Sequence, residues 1–332
     1  MAEGRFNNPI VASLAGFYDR FRKQPLKSHF KKSDNFNGKT VLVTGANSGL
    51  GFAISVEAAK RGARVIMGCR RQIPEAAEKV KKLSGSENVE MRYVDFTKID
   101  TIHQLVDGLE KDKIHLDVTF LNAASAASHS RQTESGQDEL FLVNYFSNFI
   151  LTNLLLTQGI IRADEKTQPR IIFISSDSHR DSSGIDYNEF GRYFNYGVFK
   201  AMSNYSYFKL VLNTFATELS RRVNKGKTVI QVNCICPGPV NTNIIRETPF
   251  IIRIILRAIF SVIFRSPSQA VQPLIYMASS NDFKDRTNQY MHMFIPKLMD
   301  EKVYDEKEGK KLWEKSEELW KQLDEKANVF NR

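Results

Sequence analysis

The chain has 332 residues, 42% of them apolar and 25% charged, and a formal net charge of +10. That balance allows a sizeable core under a soluble surface and excludes disorder of the whole chain. The basic surplus points to nucleic acid, an anionic membrane or a phosphorylated cofactor; with no zinc-finger spacing and no aromatic–basic motif, nucleic acid ranks last. In chain order, residues 1–36 come first, a basic amphipathic extension with Ile10, Val11, Leu14, Phe17, Tyr18 and Phe21 among its charges. It lacks the compact apolar core of a secretory signal. A membrane-lying segment, a mitochondrial address, a docked arm and a solvated arm all stay open for it.

From residue 37 short apolar runs alternate with helical patterns. Strands are predicted at Lys39–Thr44, Arg64–Met67, Glu90–Val94, Val118–Leu121, Arg170–Ser175, Thr228–Cys236 and Gln289–Phe294, with helices near 74–83, 101–109, 136–160 and 203–223. Repeated β-then-α with doubly buried strands implies an α/β fold: a doubly wound, mainly parallel, seven-stranded sheet with helices on both faces. Such a sheet binds ligands at the carboxyl ends of its strands. Cys69, Cys234 and Cys236 make no disulfide framework and fit a reducing compartment. Six histidines without ligand spacing suggest no metal.

The first strand runs into Thr44-Gly45-Ala46-Asn47-Ser48-Gly49-Leu50-Gly51, which opens a helix. Gly45 permits the tight turn, Gly49 lets backbone approach a pyrophosphate, and Gly51 allows helix to pack closely on strand, with free helix N–H groups facing the anion. This is the phosphate loop of a Rossmann-type dinucleotide site. An acidic residue at the end of the second strand would select NAD; here stand Cys69-Arg70-Arg71, so Arg70, assisted by Arg71, is expected to pair with the 2′-phosphate of NADP, which is favoured over NAD.

The spacing TGxxxGxG resembles the short-chain dehydrogenase/reductase family, and further motifs follow in family order over roughly residues 37–295. The resemblance implies adenine contacts at Asp95-Phe96, a nicotinamide-ribose contact at Asn122-Ala123, a relay asparagine at Asn144, a substrate-oxygen donor at Ser176, and a loop Pro237-Gly238-Pro239-Val240-Asn241-Thr242 whose Pro237, Gly238, Val240 and Thr242 hold the nicotinamide carboxamide. Asn47, Ser48 and Leu50 join the glycines in the phosphate loop. Two Tyr-x-x-x-Lys pairs compete, Tyr196/Lys200 and Tyr205/Lys209. Tyr205/Lys209 is preferred, because apolar residues continue at helical spacing beyond Lys209, whereas Ser203-Asn204 interrupts the pattern after Lys200. Tyr205 would be the proton donor or acceptor, with Lys209 favouring its ionised form and also binding the cofactor ribose. Leu121 and Ala124 depart from the family's Asn-Asn-Ala-Gly, which puts full activity in question.

The stretches Lys209–Arg222, Ile185–Phe190, Arg257–Ala270 and Lys310–Leu319 resemble the retinol-dehydrogenase-like branch, implying a lipophilic alcohol, aldehyde or ketone as substrate. Residues 37–332 then read as one domain that includes a lid helix at about 246–265 and a helical tail at about 300–328, where the branch closes its pocket. Phe250–Phe264 is apolar except for a stripe of Arg253, Arg257 and Ser261, continued by Arg265, which suits an interfacial helix or a substrate lid. Membrane-surface association through 250–265 and the N-terminus is expected on that reading, at the endoplasmic reticulum or mitochondrion, beside a cytoplasmic alternative. A homo-oligomer or larger complex stays open. So does a second class of function: a scaffold subunit that binds cofactor without turnover.

Overall fold

The computed structural model describes residues 31, 33–125, 129–225, 227–238 and 266–330. The N-terminal extension up to residue 30 and the lid segment at 246–265 lie outside them. Branched and apolar runs such as Thr-Val-Leu-Val-Thr form strands buried on both faces. Seven of these, β1 (Thr40–Thr44), β2 (Arg64–Cys69), β3 (Val89–Tyr93), β4 (Val118–Leu121), β5 (Arg170–Ile174), β6 (Gln231–Cys236) and β7 (Tyr290–His292), run parallel in the order β3-β2-β1-β4-β5-β6-β7. Strand order reverses between β1 and β4, which opens a crevice at their carboxyl ends.

Side chains alternate across the sheet. Val41, Val43, Val65, Met67, Phe120, Ile172 and Ile235 face α1 (Gly49–Lys60), α2 (Glu75–Ser84), α6 (Pro267–Ala270) and α7 (Gln272–Ser279). Leu42, Ile66, Leu121, Phe173, Cys234 and Tyr290 face α3 (Ile99–Lys111), α4 (Glu139–Thr157) and α5 (Val198–Val223), with α8 (Glu306–Leu323) packed outside α4 and α5. Helix α4 is apolar all round because both its sides are covered. Among the described residues it alone is long and apolar enough to cross a bilayer, and 89% of that stretch is buried in the protein core.

Helix α8 explains the cover. Asp305 caps it by accepting from the N–H groups of Lys307 and Glu308. Trp313 and Trp320, two turns apart on one face, meet Phe149 at 5.2 and 6.1 Å, and the Tyr145 hydroxyl is 2.5 Å from Ser316 Oγ. Trp313 also meets Phe215 of α5, ten residues or about 15 Å along the helix from Tyr205. The tail's aromatic face is therefore packed on the helix layer.

Two expectations need correction. The sheet has eight strands, because the chain reverses at Met293 (φ 56°) and adds the antiparallel β8 (Ile295–Lys297), with Pro296 tolerated on the outer edge. Helix α5 begins at Val198, after the extended Gly197, and continues through Ser203-Asn204 without a break. Ser203 is exposed and its hydroxyl donates back to the Lys200 carbonyl at 3.0 Å, so it stays inside the helix without breaking it.

Candidate active site

The phosphate loop joins β1 to the start of α1. Gly45 (φ 64°) and Gly49 (φ 57°) adopt the left-handed region that side chains disfavour. A Cβ on Gly51 would lie 2.4 Å from the Gly45 carbonyl oxygen and 2.5 Å from Asn122 Nδ2, so the third glycine makes room for its own loop and for the end of β4. Asn122 donates from Nδ2 to the Thr44 carbonyl at 2.9 Å, while Thr44 Oγ1 accepts from the N–H groups of Asn122 and Ala123, both at 3.0 Å. Ser48 precedes the first helical turn and makes no capping bond, and Leu50 is buried. The helix N–H groups here remain available to an anion.

Arg70 and Arg71 follow β2 and are exposed; Arg70 lies 3.4 Å from Asp95, whose carboxylate also accepts from Thr97 N–H and Oγ1. Asn47 donates to Gln72 at 3.2 Å. Phe96 is buried and its carbonyl accepts from Ser147, so its side chain faces the core. Ala124 is exposed and has no positive φ, so the alanine at this position strains nothing; Leu121 is an ordinary core residue. Pro237 and Gly238 leave β6, with Gly238 (φ 77°) against Met293. Val240 and Thr242 lie outside the described residues.

On the other side of the crevice, Asn144 sits in a π turn (Leu142–Phe146) inside α4. Its amide is used by one backbone residue, accepting from Ser125 N–H at 3.0 Å and donating to Ser125 O at 2.9 Å. Lys209 is buried on α5 and donates to the carbonyl of Ile174, the last residue of β5, at 2.7 Å; its Nζ is 5.4 Å from the centre of the Tyr205 ring. Tyr205 and Lys209 share one helix, whereas Tyr196 lies in the loop before it and Lys200 is exposed in its first turn. Ser176 is partly exposed beyond β5, and its Oγ accepts from Ser178 N–H at 3.2 Å and Ser178 Oγ–H at 3.0 Å. With both lone pairs engaged, the Ser176 proton is free to be donated elsewhere. The Ser175 hydroxyl is buried without a hydrogen-bond partner.

Burial lowers Lys209 to about 8 and raises the Tyr205 phenol above its ordinary value. Desolvation is the main cause of the second shift; the depression expected from Lys209 and the nicotinamide's positive charge concerns the cofactor-bound state. Sequence reasoning also missed a polar group behind Ser176. The Asp177 carboxylate accepts from the Tyr290 hydroxyl at 2.6 Å and Lys297 Nζ at 2.7 Å, and faces His292 Nδ1 at 2.9 Å. Asp177, Cys236 and His292 offer donor atoms within 4.8 Å of one another, but the Lys297 ammonium already supplies a cation there. Only the alternation Ser-Asp-Ser-His after β5 hinted at this group.

Residues 39–185 match the family model described as short chain dehydrogenase. Retinol dehydrogenase 14 of Homo sapiens is 32% identical over 303 residues, covering 85% of this chain and 86% of that protein. The human polyprenol dehydrogenase is 25% identical, covering 86% of each. Among solved structures, an uncharacterized protein from Mycobacterium Paratuberculosis superposes with a TM-score of 0.67 at 25% identity, covering 89% of this chain and 98% of that one. A short chain dehydrogenase from Shigella flexneri in complex with NADP gives 0.57 at 21% identity, covering 79% and 99%, which speaks to the fold alone. Glycine loop, order of strands and relatives agree: the chain belongs to the short-chain dehydrogenase/reductase family of oxidoreductases, in its retinol-dehydrogenase-like branch.

Proposed function

We propose that this chain is an NADP(H)-dependent oxidoreductase that interconverts a lipophilic alcohol with its aldehyde or ketone, using Tyr205 as general acid and base. The observation that carries the reading is the convergence of Lys209 and the Ser176 turn at the carboxyl end of β5, with Tyr205 one turn before Lys209 on the same helix. The glycine cradle fits a dinucleotide, because a Cβ at Gly45 or Gly51 would collide with the backbone that shapes it. Exposed Arg70 and Arg71 suit a 2′-phosphate. When bound, the reduced nicotinamide supplies hydride.

This chain's own residues manage the proton. A phenol is protonated at neutral pH and burial raises Tyr205 further, so it holds the proton a general acid needs for a carbonyl oxygen that gains charge. Ser176, whose oxygen accepts from Ser178, donates its own hydrogen to the same oxygen. Lys209, held by the Ile174 carbonyl, reprotonates the phenolate. The Asn144 amide bonds Ser125 through one lone pair and one N–H, and keeps a second of each with which to hold a relay water. The human relatives named as retinol and polyprenol dehydrogenases support a lipophilic substrate. The apolar, arginine-striped segment 250–265 suits delivery from a membrane surface.

The test is NADPH consumption at 340 nm with medium-chain and retinoid aldehydes. Tyr205→Phe is expected to lower kcat by about 10²–10⁴-fold while leaving NADPH affinity intact. Tight NADPH binding with no turnover of any carbonyl would instead favour the scaffold reading.

A further inference from the structure

We propose that Asp177 is a positioning residue for Ser176, held by the β7–β8 hairpin; the inference rests on Ser176 as the donor to the substrate oxygen. Its three partners come from one face of that hairpin. Tyr290 and Lys297 are register partners across β7 and β8, and His292 is two residues from Tyr290, so all three side chains leave the same side and converge on one carboxylate. That carboxylate is buried and directly follows Ser176 in the chain. The hairpin thus grips the serine turn from outside the β5–α5 connection.

A second contact sets the turn from below. His179 Nε2 accepts from Asp300 N–H at 3.1 Å, so this nitrogen carries no proton, and Nδ1–H donates to the Ser176 carbonyl at 2.7 Å. Ser178 completes the turn by bonding Ser176 Oγ. The Ser176 hydroxyl can point only one way while these contacts hold. A buried ion pair adds little net stability against a neutral pair of similar shape. Its measurable contribution here is geometric, and a displacement of about 1 Å at a reacting group costs about 100-fold in rate.

Lys297 is one-third exposed, so its charge can be removed without opening the core. Lys297→Met and Tyr290→Phe are expected to lower kcat for aldehyde reduction at least about tenfold, with NADPH affinity unchanged and Lys297→Arg restoring most of the rate. Amide exchange at residues 175–181 should accelerate in Lys297→Met, while β1 to β4 stay protected. Full kcat in both variants, in an enzyme that Tyr205→Phe inactivates, overturns the positioning role and leaves the enzymatic reading standing. If no carbonyl is turned over, the enzymatic reading falls by itself; exchange then decides the grip, unchanged protection at 175–181 overturning it and faster exchange supporting it.

Discussion

Around Gly45 and Gly51 the crevice is shaped by atoms that are missing; around Ser176 it is shaped by charges that are buried. The first region comes from steric exclusion over seven consecutive residues, secured by Thr44 and Asn122. The second needs Asp177, His179, Lys209, His292 and Lys297, brought together from the turn after β5 and from α5, β7 and β8. Steric exclusion does not titrate, whereas compensated charges do. The glycine loop should tolerate changes of pH that the surroundings of Ser176 register.

The largest effect that sharpens this contrast is at His179. Burial holds its imidazole neutral down to about 4, against an ordinary 6.5, so between those values the folded protein binds fewer protons than the unfolded chain. Stability therefore falls on acidification from 6.5 to 4, by up to about 3 kcal/mol from this group. Asp138, raised to about 6 by burial, acts in the opposite sense as its carboxyl takes up a proton early in the fold. The His179 contribution is accordingly the difference in acid slope between wild type and His179→Phe in urea melts; equal slopes would remove it.

In the glycine loop, Gly51→Ala places a methyl against the Gly45 carbonyl and Asn122. An overpacking cost of about 2 kcal/mol translates into NADPH binding weaker than wild type by about 30-fold, the same factor at every pH between 5 and 8. Fluorescence titration of NADPH checks this, and a pH-dependent loss would blur the distinction between the two regions. Arg70→Glu should weaken NADPH by about tenfold or more and spare NADH, because only the 2′-phosphate loses a charge-assisted bond. Unchanged NADPH affinity would remove Arg70 from the site. The smallest effect is expected far from both regions: Tyr145→Phe deletes the bond to Ser316 and should cost about 1 kcal/mol in thermal unfolding, with kcat unaltered.

Much of the frame was legible in the residues. The seven parallel strands were each foreseen to within a few positions, since doubly buried strands must be apolar along their length. The glycine loop was legible because its glycines answer local backbone demands. The eighth strand was not, because three residues including Pro296 carry no period. Nor was the start of α5, where Ser203 and Asn204 stay inside a helix they weakly favour, Ser203 bonding back to the Lys200 carbonyl.

The charged group behind Ser176 shows why the remainder stayed hidden. Asp177 is 113 residues from Tyr290 and 120 from Lys297, and nothing in the segment around any of them announces the others. The desolvation that raises the Tyr205 phenol was hidden for a related reason: two residues one helical turn apart can be read from the chain, but the burial around them cannot. By itself the sequence determined the sheet, the glycine loop and the residue types available for proton transfer, because those depend on local backbone and apolar periodicity. Only the tertiary structure decided which charges are buried together and in which direction they shift, because burial and compensation are properties of segments that meet across the fold.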